Sequence, residues 1–144
     1  MLKNILCTEP IMVFRPNFDK PMTIFCDAST IGLGAVLCQY DDNKKERVIL
    51  YASRSLKKSE QNYAASMLET LCVVWSILKL RVYLRNQPFT VYSDSNAVRG
   101  ILNSPRPTPM IARWIAALSE FDFEVKHRPG KSNANADFLS RLGK

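Results

Sequence analysis

The hydrophobic pattern divides the chain into short β-prone runs and longer stretches of helical period. Met22 to Cys26 is a short apolar run that predicts a first strand, closed by the turn-forming residues Asp27-Ala28-Ser29-Thr30. Gly32 to Gln39 predicts a second strand, Asp41-Asp42-Asn43-Lys44-Lys45 a hairpin turn, and Arg47 to Ser53 a third strand, so the three form an antiparallel meander. The period then changes. From about Glu60 to Leu84 or Arg85 the pattern predicts the longest helix, with Ser59 as its cap and Asn86-Gln87-Pro88 as its end. Ala64, Leu68, Leu71, Cys72, Trp75, Leu78 and Val82 fall on one stripe of it, with Ser66, Thr70 and Arg81 opposite.

Phe89 to Tyr92 is a fourth strand, ended by Ser93-Asp94-Ser95, and a short helix follows from Asn96 to Leu102. The prolines of Pro105-Arg106-Pro107-Thr108-Pro109 interrupt regular structure before a third helix, Ile111 to Phe121. Phe123 to His127 alternates as a fifth strand with one wet face, and Asn133 caps a closing helix that runs to Leu142. Residues 1–20 carry no core of their own; Ile11-Met12-Val13-Phe14, flanked by prolines, reads as a linker or an edge segment. The fourth strand enters after a long helix, so it pairs parallel to the first through a crossover. The expected fold is α/β: a mixed five-stranded sheet, three strands antiparallel and two parallel, with helices packed on it.

A chain of 144 residues suits one domain with one core. The net charge of +7 favours a polyanionic partner, nucleic acid before an acidic membrane. Cys7, Cys26, Cys38 and Cys72 show no Cys-x-x-Cys spacing and read as reduced core residues of a cytosolic protein rather than zinc ligands. No signal-peptide pattern opens the sequence, and the most apolar stretch, Leu71 to Leu80, is too short to span a bilayer.

The carboxylates carry the candidate chemistry. Glu69 flanks the apolar stripe of a helix that is apolar around most of its girth, where its charge needs a bound cation, a basic partner or partial solvation. Asp27 and Asp94 stand at the C-terminal ends of the first and fourth strands; if these are parallel neighbours, both emerge at the edge where open sheets bind ligands. Asp137 would come from the final helix. Four carboxylates brought together repel, and divalent cations relieve that. Oxygen ligands favour Mg²⁺ or Mn²⁺ over Zn²⁺, and two such ions about 4 Å apart make a phosphodiester hydrolysis site. Taken singly, Asp27 and Asp94 also suit turn or cap positions.

Several motifs carry a resemblance that spans most of the chain. Asp27-Ala28-Ser29-x-x-Gly32-x-Gly34-Ala35-Val36-Leu37-x-Gln39, Tyr51-Ala52-Ser53-Arg54-Ser55-Leu56, Asn62-Tyr63, Ser93-Asp94-Ser95 and Phe121-Asp122-Phe123 are part of it. The most specific block is His127-x-Pro129-Gly130-x-x-Asn133-x-x-Ala136-Asp137, followed by Leu139-Ser140-Arg141. Together they resemble an RNase H domain of the reverse-transcriptase type, nearest to gypsy-type LTR retrotransposons.

The resemblance implies an RNase H-like domain over residues 21–144, preceded in residues 1–20 by the tail of a reverse transcriptase connection region. It implies a nuclease that cuts the RNA strand of RNA–DNA hybrids with two Mg²⁺ ions, for which Mn²⁺ substitutes. Asp27, Glu69, Asp94 and Asp137 would be the metal ligands, and His127, the only histidine, a mobile proton-transfer residue. Ser29, Arg128 and Asn133 are candidate substrate contacts. Lys57, Lys58, Arg99, Arg106, Arg113, Arg128 and Lys131 either meet phosphates or form a solvated surface. The partners implied are the hybrid and the polymerase part of the same polyprotein, with no membrane, in the cytoplasm or, for an active element, a virus-like particle. The chain has no Tyr-x-Asp-Asp polymerase run. A second reading keeps the fold as a non-catalytic module for hybrid binding or for packing against a polymerase. A third, a related two-metal DNA nuclease, is disfavoured by the block ending at Asp137.

Overall fold

The structure is a computed structural model that describes residues 11–12 and 15–128. Four strands are longer than their apolar cores suggested or match them closely: β2 (Met22–Ala28), β3 (Gly32–Tyr40), β4 (Glu46–Ser55) and β5 (Phe89–Ser93). β6 (Phe123–His127) has the single wet face its alternation predicts. β2, β3 and β4 form the antiparallel meander, and β5 and β6 join it parallel to β2, which gives the expected mixed five-stranded sheet. A two-residue edge strand, β1 (Ile11–Met12), pairs antiparallel with β4, so the full order is β1-β4-β3-β2-β5-β6. The proline-flanked segment is thus an edge, where a missing N–H costs least.

The β2–β3 turn is tight for two reasons. Ser29 Oγ accepts from the amides of Ile31 and Gly32, and Ser29 N–H donates to Gly32 O. At Gly32 a Cβ would stand 3.0 Å from the Arg54 carbonyl oxygen of β4, tighter than nine in ten such contacts, so a side chain there would press on the β4 backbone and glycine lets the strands approach.

The helical region departs from the expected single helix. α1 spans Ala65–Lys79, breaks at Leu80, and α2 adds one turn, Arg81–Leu84. Ser59 caps nothing; residues Lys58–Glu60 form a 3₁₀ turn instead. The reason is a non-local claim on Glu60. Its two oxygens take Arg54 Nη1 and Nη2 at 2.7 and 2.9 Å, and Oε1 also takes the Lys57 amide at 2.8 Å. Arg54 in turn lies 5.9 Å over the Trp75 ring. A side chain so engaged fixes its backbone in the turn and delays the helix by five residues.

The buried face of α1 is also displaced from the predicted stripe. Ala64 and Val82 are exposed, whereas Thr70 and Ser76 are buried with Leu68, Leu71, Cys72, Val73, Val74 and Ile77. Burial of the two hydroxyls is tolerated because each donates to a carbonyl one turn back, Ser66 O and Cys72 O. α3 (Ala97–Leu102) and α4 (Pro109–Leu118) follow β5. Pro109 does not end regular structure but starts it. It occupies the first turn, where its absent N–H is no loss, and Thr108 Oγ1 caps the helix through the Ile111 amide. The predicted helix from Asn133 lies outside the described residues.

One sheet face carries Ile24, Cys26, Ala35 and Val91 against α1, forming the main core. The other carries a smaller cluster of Phe25, Val36 and Cys38 with Tyr92. Among the described residues no helix is long and apolar enough to cross a membrane.

The Arg54–Glu60 pair sets where α1 begins, and this is testable. Glu60→Ala should cost roughly 2–3 kcal/mol in urea unfolding, between an exposed pair and a buried one. The Arg54 hydrogen bonds hold the Glu60 carboxyl below its ordinary value. The pair's contribution is therefore complete above that ordinary value and is lost as pH falls through the lower, folded one. Unfolding of Glu60→Ala should accordingly lack this part of the acid sensitivity.

Candidate active site

β2, β5 and β6 are parallel neighbours, so their C-terminal ends share one edge of the sheet. Asp27 is the penultimate residue of β2 rather than part of the turn after it, and it is buried. Asp94 follows directly on β5 and is half-buried. Alternation along β2 places Asp27 on the face of Phe25, away from α1. Glu69, in the first turns of α1, approaches from the opposite face. The carboxylates thus stand at one edge of the sheet and reach it from both of its faces.

Glu69 is placed by two neutral donors. The Ala28 amide donates to Oε1 and the Ser93 hydroxyl to Oε2, both at 3.3 Å. The helix carboxylate therefore bridges the ends of β2 and β5. Burial raises its pKa most, the Asp94 charge adds to this, and the two donors oppose it; the net effect pushes the carboxyl from 4.5 up to about 7. One turn further along α1, Cys72 Sγ lies 3.3 Å from both Asp27 O and Gly34 O, and Ser76 Oγ accepts from the Cys26 thiol at 3.3 Å. These contacts seat α1 against the strand that carries Asp27. Cys26, Cys38 and Cys72 are buried free thiols, as their apolar settings predicted; Cys7 lies outside the described residues.

His127 is the last residue of β6, in register with Ser93, and not part of the following loop. It is exposed, and Nε2–H donates to the Asp94 carbonyl oxygen at 2.9 Å. That contact leaves Nδ1 as the acceptor of the neutral ring. The Arg128 amide donates to Ser93 O at 2.9 Å. Its guanidinium lies 4.7 Å over the Phe25 ring and 5.1 Å over Tyr92. Ser29, the other described substrate candidate, uses its hydroxyl within the β2–β3 turn, where Oγ also lies 3.3 Å from Gly32 O. Asp137, Asn133 and Lys131 lie outside the described residues.

The structure therefore brings Asp27, Glu69, Asp94 and His127 to one edge. Among the described residues no group of three or more His, Cys, Asp or Glu side chains is gathered closely enough to hold a metal ion. Their donor chemistry nonetheless suits a hard cation, since the three carboxylates offer only oxygen and the burial of Glu69 disfavours its negative charge. Sequence reasoning missed Ser93 as a site residue. The signal was the pairing itself: opposite Cys26, alternation turns Ser93 toward α1 and Glu69.

Residues 17–121 match the family described as the RNase H-like domain found in reverse transcriptase. The chain is 42% identical over 142 residues to the retrovirus-related Pol polyprotein from transposon opus of Drosophila melanogaster, a match covering 98% of this chain and 14% of that polyprotein. The Pol polyprotein from transposon gypsy of the same fly is 36% identical over 141 residues, covering 97% and 13%. The chain is thus a small part of the length of these relatives. A solution structure of the PFV RNase H domain is similar at TM-score 0.60 and 22% identity, covering 86% of this chain and 93% of that one. The foamy viral protease-reverse transcriptase in complex with RNA/DNA hybrid gives 0.58 at 16% identity, covering 77% and 15%. At these identities the structural likeness shows the fold alone, while the family match covers most of the sequence: the chain belongs to the RNase H-like domains found in reverse transcriptases.

Proposed function

We propose that this domain hydrolyses the RNA strand of RNA–DNA hybrids in a reaction that depends on Mg²⁺. The observation that carries this reading is the Glu69 carboxylate held between the ends of β2 and β5, beside Asp94 and one strand position from Asp27. Asp27, Glu69 and Asp94, joined by Asp137, would hold the cations. When bound, divalent cations supply a water nucleophile at neutral pH and offset the charge that develops at the scissile phosphate.

The chain's own residues do the positioning. Ala28 N–H and Ser93 Oγ orient Glu69, so its two oxygens are set before substrate arrives. His127, anchored through Nε2, presents Nδ1 as the free ring nitrogen for proton transfer. The net charge of +7 favours a nucleic-acid backbone as substrate. The hybrid-bound foamy viral enzyme of the same fold supports the hybrid as the polyanion. The polymerase part of the same polyprotein is the natural partner, because the transposon relatives carry this domain within a far longer chain. We assign Mn²⁺ as a substitute for Mg²⁺ by its similar taste for oxygen ligands.

Incubation with labelled RNA–DNA hybrid tests the reading. Mg²⁺ should give RNA cleavage, EDTA none, and Asp27→Asn none with the fold retained. A folded Asp27→Asn that still cuts would remove Asp27 from the chemistry, and hybrid binding without cleavage by the wild type would favour a non-catalytic module.

His127 should behave differently from the carboxylates. His127→Ala should slow single-turnover cleavage about 10²-fold, the lower end of general acid–base effects, with the Mg²⁺ midpoint unchanged. A midpoint displaced as far as in Asp94→Asn would make His127 a ligand rather than a proton carrier.

Glu69 gives a pH signature in the metal-free protein. Between its ordinary value of 4.5 and its folded value of about 7, the native state holds a proton that the unfolded chain has released. The stability from that proton is complete below the lower value and is lost as pH rises through the upper one. At about 1.4 kcal/mol per pH unit the loss is at most about 3.5 kcal/mol, reduced by the solvent that reaches the group. Thermal melts in EDTA should show this decline, and Glu69→Gln should abolish it and melt higher than wild type at about pH 8. Millimolar Mg²⁺ should raise the wild-type melting temperature at that pH and affect Glu69→Gln less. Equal metal effects on the two proteins would separate Glu69 from the cation site.

A further inference from the structure

Arg128 was a candidate phosphate contact, but its geometry points inward. Its amide donates to Ser93 O at the end of β5. Its guanidinium then crosses the sheet to lie over Tyr92 of β5 and Phe25 of β2. Those rings are register partners on adjacent parallel strands, stacked 5.2 Å apart at 13°. Phe25 is buried and Arg128 half-buried, so the cation meets the rings where water competes little. One residue therefore ties together β6, β5 and β2. Two positions beyond Phe25 stands Asp27, on the same face, and two beyond Tyr92 stands Asp94, just past the end of β5. The residue before Arg128 is His127, whose ring contacts Asp94 O.

We propose that Arg128 is a positioning residue: a cation–π latch that fixes the spacing of the strand ends bearing Asp27 and Asp94 and the placement of the His127 ring. Its charge is spent on the ring pair and not on the substrate backbone. The planar guanidinium matters more than the charge, because an ammonium covers a stacked ring pair less completely. The consequence for catalysis rests on the nuclease reading above; the latch itself does not.

The test compares wild type, Arg128→Ala and Arg128→Lys in the full 144-residue chain. Hybrid binding is measured in EDTA across a salt series, and single-turnover cleavage in Mg²⁺. The latch predicts an unchanged salt slope and affinity within about twofold for Arg128→Ala, where a lost phosphate contact would lower the slope by about 0.9. Misplaced strand ends should cut the cleavage rate about 10- to 100-fold. Arg128→Lys should recover little of that rate, whereas a phosphate role predicts nearly full recovery of binding and rate. Two readouts are independent of activity. Melting shifts of Arg128→Ala and Tyr92→Leu should be non-additive in the double variant, and the imidazole NMR signals of the only histidine should move in Arg128→Ala. Additive melting shifts, unmoved His127 signals or a reduced salt slope each overturn the latch. A wild-type chain that binds hybrid but never cuts it would overturn the nuclease reading, while the two activity-independent readouts still decide the latch.

Discussion

The bridge from Glu69 to Ala28 and Ser93 is the constraint on which the rest of the site depends. It joins three elements that are far apart in sequence, and it needs each to be in register. Cys26 pairs with Ser93 across β2 and β5. A slip of one residue would set Tyr92 or Asp94 opposite Cys26, and a ring or a second carboxylate would face Glu69 in place of a hydroxyl. The helix must be equally well seated. Cys72 meets the carbonyls of Asp27 and Gly34, so α1 is fastened to the backbone of the very residue whose side chain lies across the sheet. The apolar core supplies the free energy, and these few polar contacts select the register.

The faces of the sheet divide the work. The α1 face is a continuous apolar interior. The other face keeps a small aromatic cluster, and both strand carboxylates stand one step beyond it. Chemistry at the rim of such a sheet profits from rigid strands beneath it and from water above it. The tight Ser29–Gly32 turn serves the same end, since the position of the Ala28 amide follows from the turn that closes β2.

The strands were legible because their period, length and turn residues agree. The meander, the parallel entry of β5 and the single wet face of β6 all follow from local pattern and connection length. The start of α1 was not legible, because it is decided by Arg54, six residues before Glu60 and on a strand. Local propensity favours helix from Glu60 onward; a bidentate pair overrides it. The burial of Thr70 and Ser76 was not legible for the same kind of reason. A hydroxyl that bonds its own helix backbone is apolar to its neighbours, and the sequence alone does not say when that happens. At the site, the carboxylates could be named from their places in the pattern. Ser93 could not, since its role exists only once β5 lies beside β2. Asp137 and Asn133 fall beyond the described residues.

Glu60 and Glu69 show why some acids in this fold are structural and others available for chemistry. They stand nine positions apart in the same part of the chain, and both are largely withdrawn from water. Glu60 receives a guanidinium on both oxygens, and its carboxyl is held low. Among the described residues Glu69 receives an amide and a hydroxyl, with Asp94 close enough to oppose its charge, and its carboxyl is pushed up. The first arrangement is complete: its charge is balanced and the pair gains nothing from a further ligand. The second is oriented but not neutralised. It leaves the native protein with electrostatic work to recover at neutral pH, and only a positive charge or a proton can recover it. Opposed environments for neighbouring carboxylates separate roles in this way wherever they occur. Here the separation falls along the line between the residue that starts the helix and the residue that faces the strand ends.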